Sequence, residues 1–439
     1  MSLDPDVRIA SRRVRLSAVR EAPASYSRDF EQARIEPGHA WCLCNSSTPQ
    51  RLVIRRKSHA GTAAAFFLAG WPEDGESHDL DCPFYKEPED ESGKSSESKS
   101  CFEEGADGTF RITPQFSVSL KVDTVVRKKD AIEASPRPSE STRGATLLAM
   151  LQYLWNETGL HRWRAGWNRD WGRVRYELMS KVEDGQIGKR PLADVLYIPP
   201  RYTPAAADRN KAEFAARQEP LFTSARQFID AQNRIAAGKA ASAVRETLFI
   251  IAPLRGVKES QFDSYQIQLG HIAQPVYCKA PLMQRLQRRF GRVLNTLNAE
   301  HGHVIGIFHV EGTPRGHLQL LDAGLMRVSS RFIPVDSSYE EVVADALVTA
   351  NRDFSKPVKI ETGTDSLDGK VLADFILYDT ASRRCYMEVY GVEGREEYDV
   401  RKREKQHIYR QNGVEIWEWD LTRTREMPAL PPRIERTAA

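Results

Sequence analysis

The sequence predicts a multidomain α+β protein: a small β-rich N-terminal module, an α+β middle domain and a C-terminal domain of element order αβββαβ. Three observations predict it. The chain has 439 residues, which at about 150 residues per domain gives two or three domains. Four of the six cysteines fall within the first 101 residues, beside two strand-like runs. The last ~100 residues show the most regular succession of helical and alternating segments.

Residues 1–36 read as a basic arm, partly helical at best. Residues 37–126 form the β-rich module. RLVIRRK (51–57) and TAAAFFLAGW (62–71) are two strands parted by a Ser-His-Ala-Gly turn, and 110–126 regains strand alternation. Residues 86–107, rich in Glu, Ser, Lys and Gly, form an acidic insert with too little apolar surface for a core. Residues 127–143 hold Pro136 and Pro138 and form a linker.

The basic middle domain spans 144–335. ATLLAMLQYLW opens it as an apolar helix, 205–239 is helical in propensity, and 281–301 is a basic amphipathic helix. The segments 247–257, 264–272 and HVIGIFHVEG read as strands, with further strands from His317 onward. The C-terminal domain spans 336–428, followed by a tail at 429–439. It reads as a helix (338–354), three strands (357–361, 372–378, 384–390), a helix (397–412) closed by Gly413, and a strand (414–420).

Formal net charge is +3, but it is unevenly spread. Residues 73–107 hold 13 acidic against 3 basic residues, and 337–439 hold 20 against 16. The remainder carries 44 basic against 27 acidic, an excess that suits an anionic partner. No apolar run approaches the ~18 residues of a membrane helix. The first residues lack the apolar core of a secretory signal. The expectation is a cytoplasmic protein with no membrane partner.

Cys42-x-Cys44 is followed, after 33 intervening residues, by His78-x-x-x-Cys82. Three thiolates and one imidazole make a closed tetrahedral set for structural zinc, with His59 and Cys101 as spares. In the C-terminal domain, 13 residues separate Asp374 from Glu388. Two hairpin strands bring such residues side by side. Like charges held close require a cation, and Mg²⁺ (or Mn²⁺) suits paired carboxylates. Glu340 or Glu341 on the preceding helix adds a third carboxylate.

With these residues in place, the block resembles the PD-(D/E)-x-K nuclease superfamily in element order and motif position. The resemblance implies a restriction-endonuclease-like domain that cuts DNA with Mg²⁺. It makes Asp374 the first acid, Glu388 the second, and Glu340 or Glu341 the helix acid. Ala373 stands where the motif has proline. Tyr390 stands where it has the lysine that positions or activates water. Tyr398, Lys402, Lys405 and Tyr409 share one face of the next helix, so Lys402 or Lys405 is the candidate relocated lysine.

LHRWRAGWNRDWGRVR sets tryptophans four residues apart among arginines. Such a stripe is either core or a nucleic-acid contact, with Arg162, Trp163, Arg164 and Arg169 as candidates. Arg285, Arg288 and Arg289 of the amphipathic helix are a second candidate phosphate-facing set. Its apolar residues Leu282, Leu286 and Phe290 point to a core face. His301, His303, His309 and His317 have no acidic or cysteine partner at ligand spacing.

The CLC opening, LAGWPEDGESHDLDC, LLAMLQYLWNETGLHRW and the RDFSKPVKIE…LADFILYD…YMEVYG ending together resemble one uncharacterised bacterial family. It is the plasmid- and mobile-element-associated domain-of-unknown-function family numbered eleven seventy-three. The expectation is a Mg-dependent endonuclease acting on DNA ahead of RNA. One alternative is a catalytically inactive nuclease-fold DNA-binding accessory protein. A further one is a zinc-stabilised protein-interaction factor.

Overall fold

Apolar alternation at Val7 and Ile9, with arginines between and beyond, builds the first strands of the chain. In a computed structural model, the described residues are 4–45, 48–57, 65–71, 78–79, 82–84, 101–105, 109–122, 145–237, 239, 242–261, 263–298, 303–358, 366–367, 371–391 and 396–434. The expected turn at 58–61, the linker and most of the acidic insert lie outside them.

The N-terminal module is a five-stranded antiparallel sheet in the order 12–15, 6–9, 40–42, 50–57, 65–70. Helices Leu16–Glu21 and Ser27–Ile35 pack on it through Leu16, Val19, Phe30 and Ala33. This corrects the expectation of a basic arm at 1–36. Its apolar residues fill the module core, while Arg12 and Arg13 point outward to Asp29 and Asp6. Four-residue strands sit at the lower limit of what alternation reveals.

In the middle domain, Ala243–Ser260 is an 18-residue strand. It pairs in succession with 119–122, 196–197 and 264–269, and along 247–254 with 303–312. His303–Gly312 pairs with Leu318–Val328, which runs parallel to Val276–Lys279, itself paired to Ser264–Leu269. The ring therefore closes as a five-stranded barrel. Its interior holds Ile250, Ala252, Ile267, Val276, Val304, Phe308 and Leu320, plugged by helix Ala280–Asn295 through Leu282, Met283, Leu286 and Phe290. Helices Leu147–Glu157 and Trp171–Val182 cover Phe249, Ile251, Ile305 and Ile307 on one outer face. A four-stranded sheet of 190–191, 185–187, 110–112 and 102–104 lies beside them.

The C-terminal region orders helix Ser338–Thr349, strands Phe354–Ser355, Phe375–Leu377 and Cys385–Tyr390, helix Glu396–Gln411 and strand Glu415–Asp420. Ser337 caps the first helix, accepting from the Glu340 N–H at 3.1 Å. The mixed sheet runs 415–420, 385–390, 375–377, 354–355, and ends on Arg162–Trp163 from the middle segment. The strand expected at 357–361 is instead Phe354–Ser355, with 359–361 outside the described residues. Pro357 has no N–H for a ladder, whereas Phe354 stacks edge-on against Phe375. Among the described residues, no helix is long and apolar enough to cross a membrane.

Candidate metal centre and carboxylate–lysine cluster

Strand Ala40–Cys42 and the residues just after it present Cys42 and Cys44, and His78 and Cys82 lie against them. The four ligand atoms all lie within 4.8 Å of one another. Cys42 Sγ is 3.6 Å from Cys82 Sγ, and His78 Nδ1 is 3.4 Å from Cys44 Sγ and 3.5 Å from Cys82 Sγ. Zn–S bonds of about 2.3 Å and Zn–N bonds of about 2.0 Å put tetrahedral ligand atoms roughly 3.5–3.8 Å apart. The set therefore fits a structural zinc site. Without a cation three thiols this close cannot all ionise. Bonding to Cys44 pushes Cys42 up to about 12, bonding to Cys42 raises Cys82, and Cys44 is lowered as the shared acceptor. Cys101 lies instead in the middle-domain core, with Phe110 and Ile112.

In the C-terminal sheet, the pairing of Phe375 with Met387 sets Asp374 directly opposite Glu388. The Val389 N–H donates to Asp374 Oδ2 at 2.8 Å, which fixes the aspartate against the neighbouring strand. Glu388 is 2% exposed. Lys405 Nζ donates to both its carboxylate oxygens at 3.0 and 2.9 Å and to the Leu372 carbonyl at 2.9 Å. Tyr409 OH donates to Glu388 Oε1 at 2.6 Å. Burial, then the Asp374 charge, pushes Glu388 up to about 7, against the pull of Lys405 and Tyr409.

Lys356, unremarked in the sequence, is buried on the other side of Asp374. Its Nζ lies 2.9 Å from Glu340 Oε2, 3.5 Å from Asp336 Oδ2 and 3.8 Å from Asp374 Oδ1. Burial pushes its ammonium down, but Glu340, Asp336 and Asp374 outweigh that and hold it above its usual value. Burial likewise raises Glu340, with Lys356 opposing. Two ammonium groups thus interleave Glu340, Asp374 and Glu388, with the more exposed Asp336 at the rim. Asp374 has the most exposed side chain of the three acids, at 20% against 7% for Glu340 and 2% for Glu388. Among the described residues, Glu340, Asp374 and Glu388 do not converge as tightly as the Cys/His set.

The alternatives left open by spacing separate here. Glu340 reaches the cluster, whereas Glu341 turns to Arg327 at 2.5 Å. Lys405 reaches Glu388, whereas Lys402 donates to Asp420 at 2.6 Å and lies over the Tyr390 ring. Lys402 and the Thr422 groups outweigh burial and hold Asp420 down at about 2. Tyr390 is buried.

The arginine–tryptophan segment is not one helix. Arg162–Trp163 is a strand, a left-handed Gly166 turns the chain, and Asp170 caps a helix starting at Trp171. Trp163 is buried in the C-terminal core, and Trp171 in the middle core. Arg169 is buried and donates to the carbonyls of Leu160 and Arg162. Neither Trp163 nor Arg169 can meet a nucleic acid, because both are spent on packing. Arg162 donates to His161 Nε2 at 3.1 Å, and Arg164 lies over the ring of Trp167, which is 45% exposed. Arg285, Arg288 and Arg289 are exposed on the barrel's plugging helix. His309 is a core residue stacked on Phe249, and burial lowers it to about 4.

No curated protein and no solved structure matches the chain. The family expected from the opening, helical and closing fragments is the one whose model, described as a protein of unknown function (DUF1173), matches residues 14–422, and the chain belongs to that family.

Proposed function

We propose that the protein is a nuclease-like factor acting on DNA, in plasmid or mobile-element biology, with phosphodiester cleavage in its C-terminal domain. The observation that carries this reading is the Asp374–Glu388 cross-strand pair, joined by Lys405 from the following helix. Element order and the position of that lysine support a restriction-endonuclease-like reading of 336–428, with Lys405 in place of the motif lysine. Asp374 Oδ1 is 3.8 Å from Lys356 and partly open to solvent, so it keeps coordinating capacity. Asp374 and Glu388 would hold Mg²⁺ or Mn²⁺, with Glu340 behind them. The ion would supply a Lewis acid and a hydroxide from bound water.

The protein's own groups have separate tasks in this reading. Lys405 opposes the burial that raises Glu388 and sets a cation where anionic charge develops. Tyr409 orients Glu388 through the Oε1 hydrogen bond. Lys356 fixes Glu340 and offsets its charge.

A second reading is the inactive DNA-binding accessory protein. It is favoured by Tyr390 at the motif lysine position and by the internal pairing of Glu388 and Glu340 with Lys405 and Lys356. Supercoiled plasmid incubated with Mg²⁺ or Mn²⁺ separates the two. Nicking that disappears in EDTA and in Asp374→Ala and Glu388→Ala is expected, with Lys405→Ala slower by on the order of 10²-fold and Lys402→Ala near wild type. Intact plasmid with a retained gel shift selects the second reading.

A further inference from the structure

The middle-domain barrel closes in the order first, second, third, fifth, fourth strand, back to the first. Its first strand is long and irregular between Leu254 and Gly256, its third and fifth strands are parallel, and a helix stands between the third and fourth. This strand number and Greek-key order are those of an OB-type barrel. Such barrels take oligonucleotides or oligosaccharides over strands two and three and the adjoining loops. Architecture alone assigns no ligand, so the residues on that face must decide.

The pairing register lines up Lys258, Gln266, Tyr277 and Gln319 as one row across four strands. Gln268 faces Gly256 in the adjoining row, and Ser264 faces Lys279. None of these side chains is buried. The loop joining the last two strands carries exposed Arg315 and His317, and the His317 ring is 5.5 Å from that of Tyr277. Gln319 Nε2 donates to the Tyr277 carbonyl at 2.9 Å, which steadies this strand. The acids nearby are Glu311, the next in the row, buried and paired with Arg245 at 2.9 Å, exposed Asp263 beside the second strand, and exposed Glu259, which follows Lys258 on the first strand and faces Tyr265 on the alternate side of the pleat. The opposite outer face, by contrast, is apolar and covered by helices.

We propose that this face binds single-stranded DNA. Lys258, Lys279 and Arg315 match a phosphate backbone, and the Tyr277 and His317 rings offer stacking surfaces that only unpaired bases can use. An oligosaccharide would use the rings but not the three cations. The choice of DNA rests on the proposed function. The face itself belongs to a different domain from Asp374, so binding and cleavage can fail separately.

The test is fluorescence anisotropy of labelled oligothymidylate with the full chain in EDTA. Tight, salt-dependent binding is expected, poorly competed by duplex or by neutral oligosaccharide. Tyr277→Ala should weaken it roughly 5- to 100-fold, the range that stacking one base supplies. Lys258→Glu with Lys279→Glu, both exposed and compatible with the fold, should weaken it and flatten the salt slope. Asp374→Ala should bind as wild type. Wild-type affinity in the Tyr277 and lysine variants, equal competition by duplex, or loss of binding in Asp374→Ala would each overturn the assignment. An intact plasmid beside a bound oligonucleotide would instead count against cleavage and leave the barrel face standing.

Discussion

Lys356 shows what a single side chain decides in this protein. It is 4% exposed and held between Glu340, Asp336 and Asp374. Removing one partner of a buried ion pair leaves a charge with neither water nor a counterion, which costs about 3–5 kcal/mol. Lys356→Met should therefore lower stability by about that much, read as the urea midpoint at pH 7. Adding Glu340→Gln should recover most of it, because the stranded carboxylate is gone. A double variant as unstable as the single would show that the pair is not the source of the loss. The Asp374–Glu388 pair was legible because hairpin spacing fixes cross-strand neighbours. Lys356 was not, because a lone lysine before a proline has no periodicity, and only chain folding brings it to the acids.

Elements carry their own surprises where two of them approach closely. Gly324, on strand Leu318–Val328, faces helix Leu147–Glu157 so nearly that a Cβ would lie 2.5 Å from the Leu148 nitrogen and 2.7 Å from the Leu147 carbonyl carbon. Backbone cannot yield as a flexible side chain can. Gly324→Ala should destabilise by about 1–3 kcal/mol through overpacking, measured as a lower urea midpoint, and an unchanged midpoint would mean the helix moves freely. The same level explains the tryptophan segment. Spacing of four suggested a stripe, yet Gly166 and the Asp170 cap break it into strand, turn and helix. The amphipathic helix 280–295 was recognisable by its apolar face, but that this face plugs a barrel was not.

Across the whole molecule, the N-terminal module has a core of its own and an ion pair from Arg55 to Asp184 of the middle domain. Its zinc-type cluster ties Cys42 and Cys44 to His78 and Cys82. Purified protein should carry one zinc per chain by elemental analysis, and Cys44→Ser or Cys82→Ser should lose it. Because binding free energy at such a site is folding free energy, chelation should expose the first ~100 residues to limited proteolysis and spare the barrel and C-terminal sheet. Metal-free protein that resists the protease equally would remove the structural role. The Cys/His cluster and the carboxylate–lysine cluster sit against separate cores, so zinc at Cys42 and the cation proposed at Asp374 can be tested independently.

The sequence by itself determined the α+β character, the positions of most strands and helices, the four soft ligands and the facing carboxylates. Each rests on local period or on ligand chemistry, which neighbouring residues express directly. The tertiary structure alone decided the folded state of 4–36, the closure of the barrel, the burial of Arg169 and Trp163, the approach of Lys405 rather than Lys402 to Glu388, and that of Glu340 rather than Glu341 to Lys356. Those outcomes depend on contacts between residues far apart in the chain. Which of two similar side chains faces a site is set by how whole elements pack, and local sequence carries no record of that geometry.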